Sequence, residues 1–120
     1  EKHPAVNWVN SAGLESSRYH ELAKKYMDGR ASGILSFGIK GGDEAGAKFI
    51  DALQMIVRLV NIGDAKTLAC HPASTTHRQL NDEELASAGV SRDLVRLAIG
   101  IEHVDDILAD VEQALDASQA

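Results

Sequence analysis

Apolar residues fall into short continuous runs separated by stretches in which they recur every three or four positions, a pattern that predicts strands alternating with helices. Ala5, Val6, Trp8 and Val9 form a strand-like run that Asn10-Ser11-Ala12-Gly13 closes with turn chemistry. Residues 17 to 27 follow with Tyr19, Leu22, Ala23 and Tyr26 at helical spacing. Ile34 to Ile39 is apolar at nearly every position, which predicts a central strand covered on both faces. Gly41-Gly42 interrupts it, and Asp43 and Glu44 place negative charge in the first turn of the next helix, where the helix dipole favours it. Ala45, Phe49, Leu53, Ile56 and Val60 carry that helix to about Val60 on one buried face.

Thr67 to Cys70 predicts a second short strand, and His71 to His77 a polar loop of the kind that often carries function. Asn81 and Glu84 have capping-box spacing for a helix over Asp82 to Ala88, stopped at Gly89. Leu94 to Ile99 reads as a strand with a single charge in an apolar run. From His103, the residues Val104, Ile107, Leu108, Val111 and Leu115 draw an amphipathic helix, with a frayed tail from Asp116 to Ala120. The strands are too few and the connections too uneven for a doubly wound parallel sheet. The predicted class is α+β: a small, mainly antiparallel sheet packed against two long helices.

Composition limits this to one domain over residues 1–120, because 120 residues with 44% hydrophobic and 25% charged content supply one core and no more. No apolar run approaches membrane-spanning length, so no membrane contact is expected. Eighteen Asp and Glu against twelve Lys and Arg, a formal charge of −6, disfavour nucleic acid as a partner. The lone Cys70 allows no internal disulfide and fits a reducing, cytoplasmic setting. Glu1-Lys2-His3-Pro4 offers neither an initiator Met nor a signal segment, and the expectation is a piece of a longer protein.

Arg96 is the residue that demands an explanation, since an arginine in Leu94-Val95-Arg96-Leu97-Ala98-Ile99 must meet something anionic. One reading is a structural ion pair with Glu102 or Asp93. The other is a guanidinium fork for a carboxylate ligand, a task that suits arginine better than lysine. The glycine-rich stretch Gly38 to Lys48 fails as a phosphate loop: Gly46 is followed by Ala47-Lys48 instead of Lys and Ser or Thr, and Asp43 and Glu44 sit where a phosphate would dock. Cys70, His71 and His77 match no zinc spacing, so no metal is expected. Ser74, Thr75 and Thr76 beside His77 lack an orienting acid for nucleophilic chemistry.

Taken together, Gly38-Ile39-Lys40-Gly41-Gly42, Gly63-Asp64-Ala65-Lys66-Thr67-Leu68, His71 to His77, Val95 to Glu102 and Asp105 to Val111 resemble the C-terminal portion of Cys/Met-metabolism pyridoxal-phosphate enzymes. Trp8-Val9-Asn10, Gly13 to Ser17 and Phe37 to Gly42 are most similar to the O-acetylhomoserine sulfhydrylases among them. The resemblance implies a fold-type I enzyme in which this small domain closes one side of an active site, while the pyridoxal phosphate, its Schiff-base lysine and its phosphate site belong to a central domain outside this sequence. It matches Arg96 to the arginine that grips the substrate's α-carboxylate. Asn61 falls where many relatives carry a serine near that carboxylate, with contact through backbone or amide, and Thr75 and Thr76 match the segment lining the substrate side.

The implied activity replaces the acetyl group of O-acetylhomoserine with sulfide or a thiol, giving homocysteine or methionine. The implied partners are the remainder of the same enzyme, further copies in a homotetramer and a small amino-acid substrate. These 120 residues alone are expected to bind no cofactor and to catalyse nothing, since Lys40, Lys48 and Lys66 lie in no matching motif. The alternatives are a related cystathionine synthase or lyase or methionine γ-lyase domain, or a freestanding binding or assembly module without chemistry.

Overall fold

A computed structural model describes residues 1–120. Five strands form one sheet: β1 (Val6–Asn10), β2 (Ile34–Ile39), β3 (Val57–Arg58), β4 (Leu68–Cys70) and β5 (Leu94–Ala98), in spatial order β1-β2-β5-β4-β3. Every neighbouring pair is antiparallel except β3 with β4. The helices are α1 (His20–Met27), α2 (Gly42–Ala52), α3 (Asp82–Ser87) and α4 (Val104–Ser118), with a 3₁₀ turn at Pro72–Ser74. The α+β expectation therefore holds, with the two longest helices, α2 and α4, packed together on one face of the sheet. No helix is long and apolar enough to cross a membrane.

Strand alternation decides where the core lies. Phe37, Ile39, Val95, Leu97 and Ala69 point from the sheet towards Ala45, Phe49 and Ile50 of α2 and Ile107, Ala114 and Leu115 of α4. Phe37 meets Phe49 edge to face, with ring centroids 5.5 Å apart. The register places Ser36, Arg96 and Cys70 opposite one another on the other face. Leu94 to Ile99 is thus an alternating strand, and its one charge faces away from the helix-covered core.

The long predicted helix is shorter than its periodicity implies. It ends at Ala52, and Val60 is 51% exposed instead of buried. The cause is a carboxylate far along the chain: Asp110 of α4 accepts from the backbone N–H groups of Gln54, Met55 and Ile56 at 2.9, 2.9 and 2.8 Å. Those three donors would otherwise bond to carbonyls within a continued helix. The chain leaves α2 extended at Leu53 and enters β3, an additional strand.

At the other end of the molecule, α4 continues to Ser118, and Gln119 Nε2 donates to the carbonyl of Lys40 at 3.0 Å while Lys48 Nζ donates to the carbonyl of Ala120 at 3.2 Å. The residues expected to fray are tied to the turn after β2 and to α2. The capping box stands as predicted, with Asn81 Oδ1 accepting from the Glu84 N–H and Glu84 accepting from the Asn81 N–H, both at 2.9 Å.

Candidate functional site

Arg96 sits midway along β5 with Ser36 and Cys70 as cross-strand partners on either side. Both neighbours are small, and Arg96 is half-buried between them. It takes part in none of the chain's ion pairs. Its oxygen acceptor is the backbone carbonyl of Asn61, 3.4 Å from Nη2, and the Cys70 sulfur lies beside it. A guanidinium carries five N–H donors, so most of its hydrogen-bonding capacity is unspent.

Both carboxylates that could have neutralised Arg96 are committed elsewhere. Glu102 accepts from the Thr67 N–H at 2.7 and 2.8 Å and from Thr67 Oγ1 at 2.7 Å. These bonds from Thr67 hold the Glu102 pKa below the ordinary range of a glutamate. Asp93 accepts from Trp8 Nε1 at 3.0 Å and, more weakly, from Asn7 Nδ2 at 3.5 Å. The local ion-pair explanation of Arg96 therefore has no partner in the structure. Burial pushes the Cys70 thiol up, with the charge and hydrogen bonding of Arg96 partly offsetting this, which favours the neutral thiol beside the guanidinium.

Asn61 joins Arg96 through its backbone. Its side-chain oxygen instead accepts from the Ile62 N–H at 2.9 Å, shaping its own loop. Thr75 and Thr76 make no hydrogen bond to Arg96: Thr75 Oγ1 donates to the carbonyl of His71 at 2.8 Å, and Thr76 Oγ1 lies 2.8 Å from His77 Nδ1. They line a separate depression of about 450 Å³ with His77, Arg78, Gln79 and Leu80.

The glycine-rich stretch serves packing. Gly38 lies under the indole of Trp8, where any Cβ would collide with Trp8 Nε1 and the Asp93 carboxylate. Gly46 lets α2 approach the ring of His71, whose Nε2 would stand 2.6 Å from an added Cβ. His71 is buried with Nε2 2.7 Å from the carbonyl of Arg92 and Nδ1 2.8 Å from Ser74 Oγ. A carbonyl only accepts, so Nε2 carries a proton and donates it to the Arg92 carbonyl. His71 is thus part of the framework. Sequence reasoning missed the Glu102–Thr67 clamp and the Asp110 clamp, for which neither spacing nor periodicity holds a signal.

Arg96 thus stands without an ion-pair partner on the face of a small sheet that the two long helices of this α+β domain leave uncovered. The chain belongs to the Cys/Met metabolism PLP-dependent enzyme family, whose model matches residues 1–116. It is 56% identical over 118 residues to a homocysteine synthase of Schizosaccharomyces pombe, covering 98% of this chain and 28% of the relative. It is 52% identical to O-acetyl-L-homoserine sulfhydrylase 1 of Thermus thermophilus, covering 93% and 27%. A crystal structure named as an O-acetylhomoserine (thiol)-lyase of Campylobacter jejuni, which holds an N′-pyridoxyl-lysine-5′-monophosphate, superposes with a TM-score of 0.86 at 45% identity, covering 96% of this chain and 27% of that one. The chain thus spans little more than a quarter of the length of these relatives.

The residues of this chain do not fit the attachment of pyridoxal phosphate. All six lysines are exposed, and Lys48 pairs with Glu44 at 3.2 Å. A lysine that forms a covalent bond to a carbonyl cofactor has to lose its proton, which exposure to water disfavours and burial promotes.

Proposed function

We propose that this chain is the substrate-side domain of an O-acetylhomoserine sulfhydrylase, with Arg96 binding the α-carboxylate of the amino-acid substrate. The observation that carries this reading is the free fork of Arg96, half-buried, unmatched by any carboxylate of the chain and held at one edge by the Asn61 carbonyl. The names of the relatives at 52–56% identity support the choice of substrate. A bidentate clamp on the carboxylate fixes the amino acid's orientation, and misplacement at such a contact costs orders of magnitude in rate. Asn61 contributes its carbonyl, and the family resemblance assigns Thr75 and Thr76 to the substrate side of the completed site, although within this chain they line a depression of their own.

The domain acts with the remainder of the same polypeptide, which supplies the cofactor site, and with further copies in a homotetramer in the cytoplasm. The exposed side chains of Leu59, Val60 and Ile62 beside Asn61, and of Ile101 just past β5, support a partner on this side, since clustered exposed apolar groups mark contact surfaces. The full reaction exchanges acetate at the substrate's γ-carbon for sulfide or a thiol, releasing homocysteine or methionine.

Assay of the full-length protein with O-acetylhomoserine and sulfide tests the assignment. Homocysteine and acetate should form in equal amounts, with cystathionine and methionine turned over far more slowly. Preferential cleavage of cystathionine or methionine would replace the sulfhydrylase assignment with a lyase. No turnover of any of them by cofactor-loaded protein would leave a module without chemistry.

A further inference from the structure

We infer that Thr67 and Glu102 are positioning residues for Arg96, acting through the loop that presents the Asn61 carbonyl. The inference rests on the reading of Arg96 as the carboxylate-binding group. Asn61 lies between β3 and β4 in a connection whose central residues, Asn61, Ile62 and Gly63, are exposed. Little packing beneath the loop sets its height over the sheet, so its ends must. At the first end, the Leu59 N–H donates to the carbonyl of Ala69 at 3.3 Å. At the second, the fully buried Thr67 gives both its N–H and its hydroxyl to the Glu102 carboxylate.

Thr67 Oγ1 also accepts from the Gly100 N–H at 2.9 Å, and the Ile101 N–H donates to the carbonyl of Ala65 at 2.9 Å. Gly100 is seated so close to the backbone of Ala65, Lys66 and Thr67 that no side chain could stand there. Residues 65–67, which end the Asn61 loop, are in this way sewn to residues 100–102, which continue the strand bearing Arg96. The guanidinium and the carbonyl that restrains it are held in one frame. Glu102, which spacing alone offers as an ion-pair partner of Arg96, touches it only at one remove.

Loosening the clamp lets the Asn61 carbonyl drift and frees the guanidinium to sample orientations that it must give up on binding a carboxylate. The cost appears in substrate binding and specifically in recognition of the carboxylate. The test uses the cofactor-loaded full-length enzyme and compares kinetics with O-acetylhomoserine and with its carboxamide, in which the anionic group is gone. Thr67→Val removes the hydroxyl and keeps the N–H, Thr67→Ser keeps both, and Glu102→Gln puts an amide in place of the carboxylate.

Thr67→Val and Glu102→Gln should raise KM for the acid by about threefold to tenfold, the worth of a hydrogen bond. KM for the carboxamide, kcat and cofactor content should stay unchanged, and Thr67→Ser should behave as wild type. Equal rises for both substrates, or a lowered melting temperature with unaltered preference for the acid, would overturn the inference and leave the clamp as structure alone. Arg96→Ala separates the two levels: if it retains the preference for the acid, the reading of Arg96 itself fails, whereas if it loses that preference while both clamp variants keep it, only the positioning role fails. Should Glu102→Gln not fold, the Thr67→Val and Thr67→Ser pair decides.

Discussion

Arg96 was legible as a residue in need of an anion because its charge interrupts an apolar run, yet its neighbours in sequence pointed to the wrong partners. Glu102 and Asp93 lie close along the chain, but strand alternation and the indole of Trp8 direct both elsewhere. Spacing gives proximity along the chain, whereas pairing depends on which face of the sheet each side chain occupies. Gly38 shows the same limit from the opposite side: it stands in a stretch suggestive of phosphate binding, and its actual duty, leaving room for Trp8, depends on a residue thirty positions earlier. Gly38→Ala should displace the indole and break its 3.0 Å bond to Asp93, at a cost of about 1 to 3 kcal/mol as for other overpacked sites. Denaturant unfolding of the full-length protein checks this, and an unchanged midpoint would mean that Trp8 moves aside freely.

Elements with a strong local signal were read nearly to their ends. β2, β5 and α4 were found within a few residues, and the capping box of α3 was found intact, because each depends on neighbours within a turn or on simple alternation. The segment after Ala52 was read as helix because Ile56 and Val60 continue the rhythm, and a distant carboxylate overrides it. Burial pushes the Asp110 carboxyl up, but hydrogen bonds from Ile56, Gln54, Met55 and Gln113 outweigh that and hold its pKa below the ordinary aspartate value of 3.8. A folded-state pKa lowered in this way contributes stability that is complete above the unfolded value and is lost as the pH falls through the folded one. Asp110→Asn should therefore cost about 2 to 4 kcal/mol near neutral pH, through loss of charge-assisted bonds at a buried position. The difference from wild type should shrink as the pH drops below 3.8. Denaturation midpoints at several pH values measure it, and a deficit that persists undiminished in acid would remove Asp110 as the cause.

At the scale of the molecule, the class of fold followed from the order of strands and helices, and the family followed from a set of motifs that no single element contains. The domain supplies a framework, with α2 and α4 covering one face of the sheet and the other face presenting Arg96 between Ser36 and Cys70. What the chain does not carry is as much part of the account: its lysines are all exposed, and it spans little more than a quarter of its relatives. The central claim is that Arg96 serves a ligand and not the fold. Kinetics and thermal unfolding of Arg96→Ala, measured on the same preparation of full-length enzyme, test it most directly. Loss of one partner of a charge-assisted pair costs about 2 to 5 kcal/mol, so kcat/KM for O-acetylhomoserine should fall by roughly 30- to 3,000-fold. The melting temperature and cofactor content should hold, and Arg96→Lys should recover only part of the activity because an ammonium cannot reproduce the fork. Normal kinetics with a lowered melting temperature would contradict the account and return Arg96 to the framework.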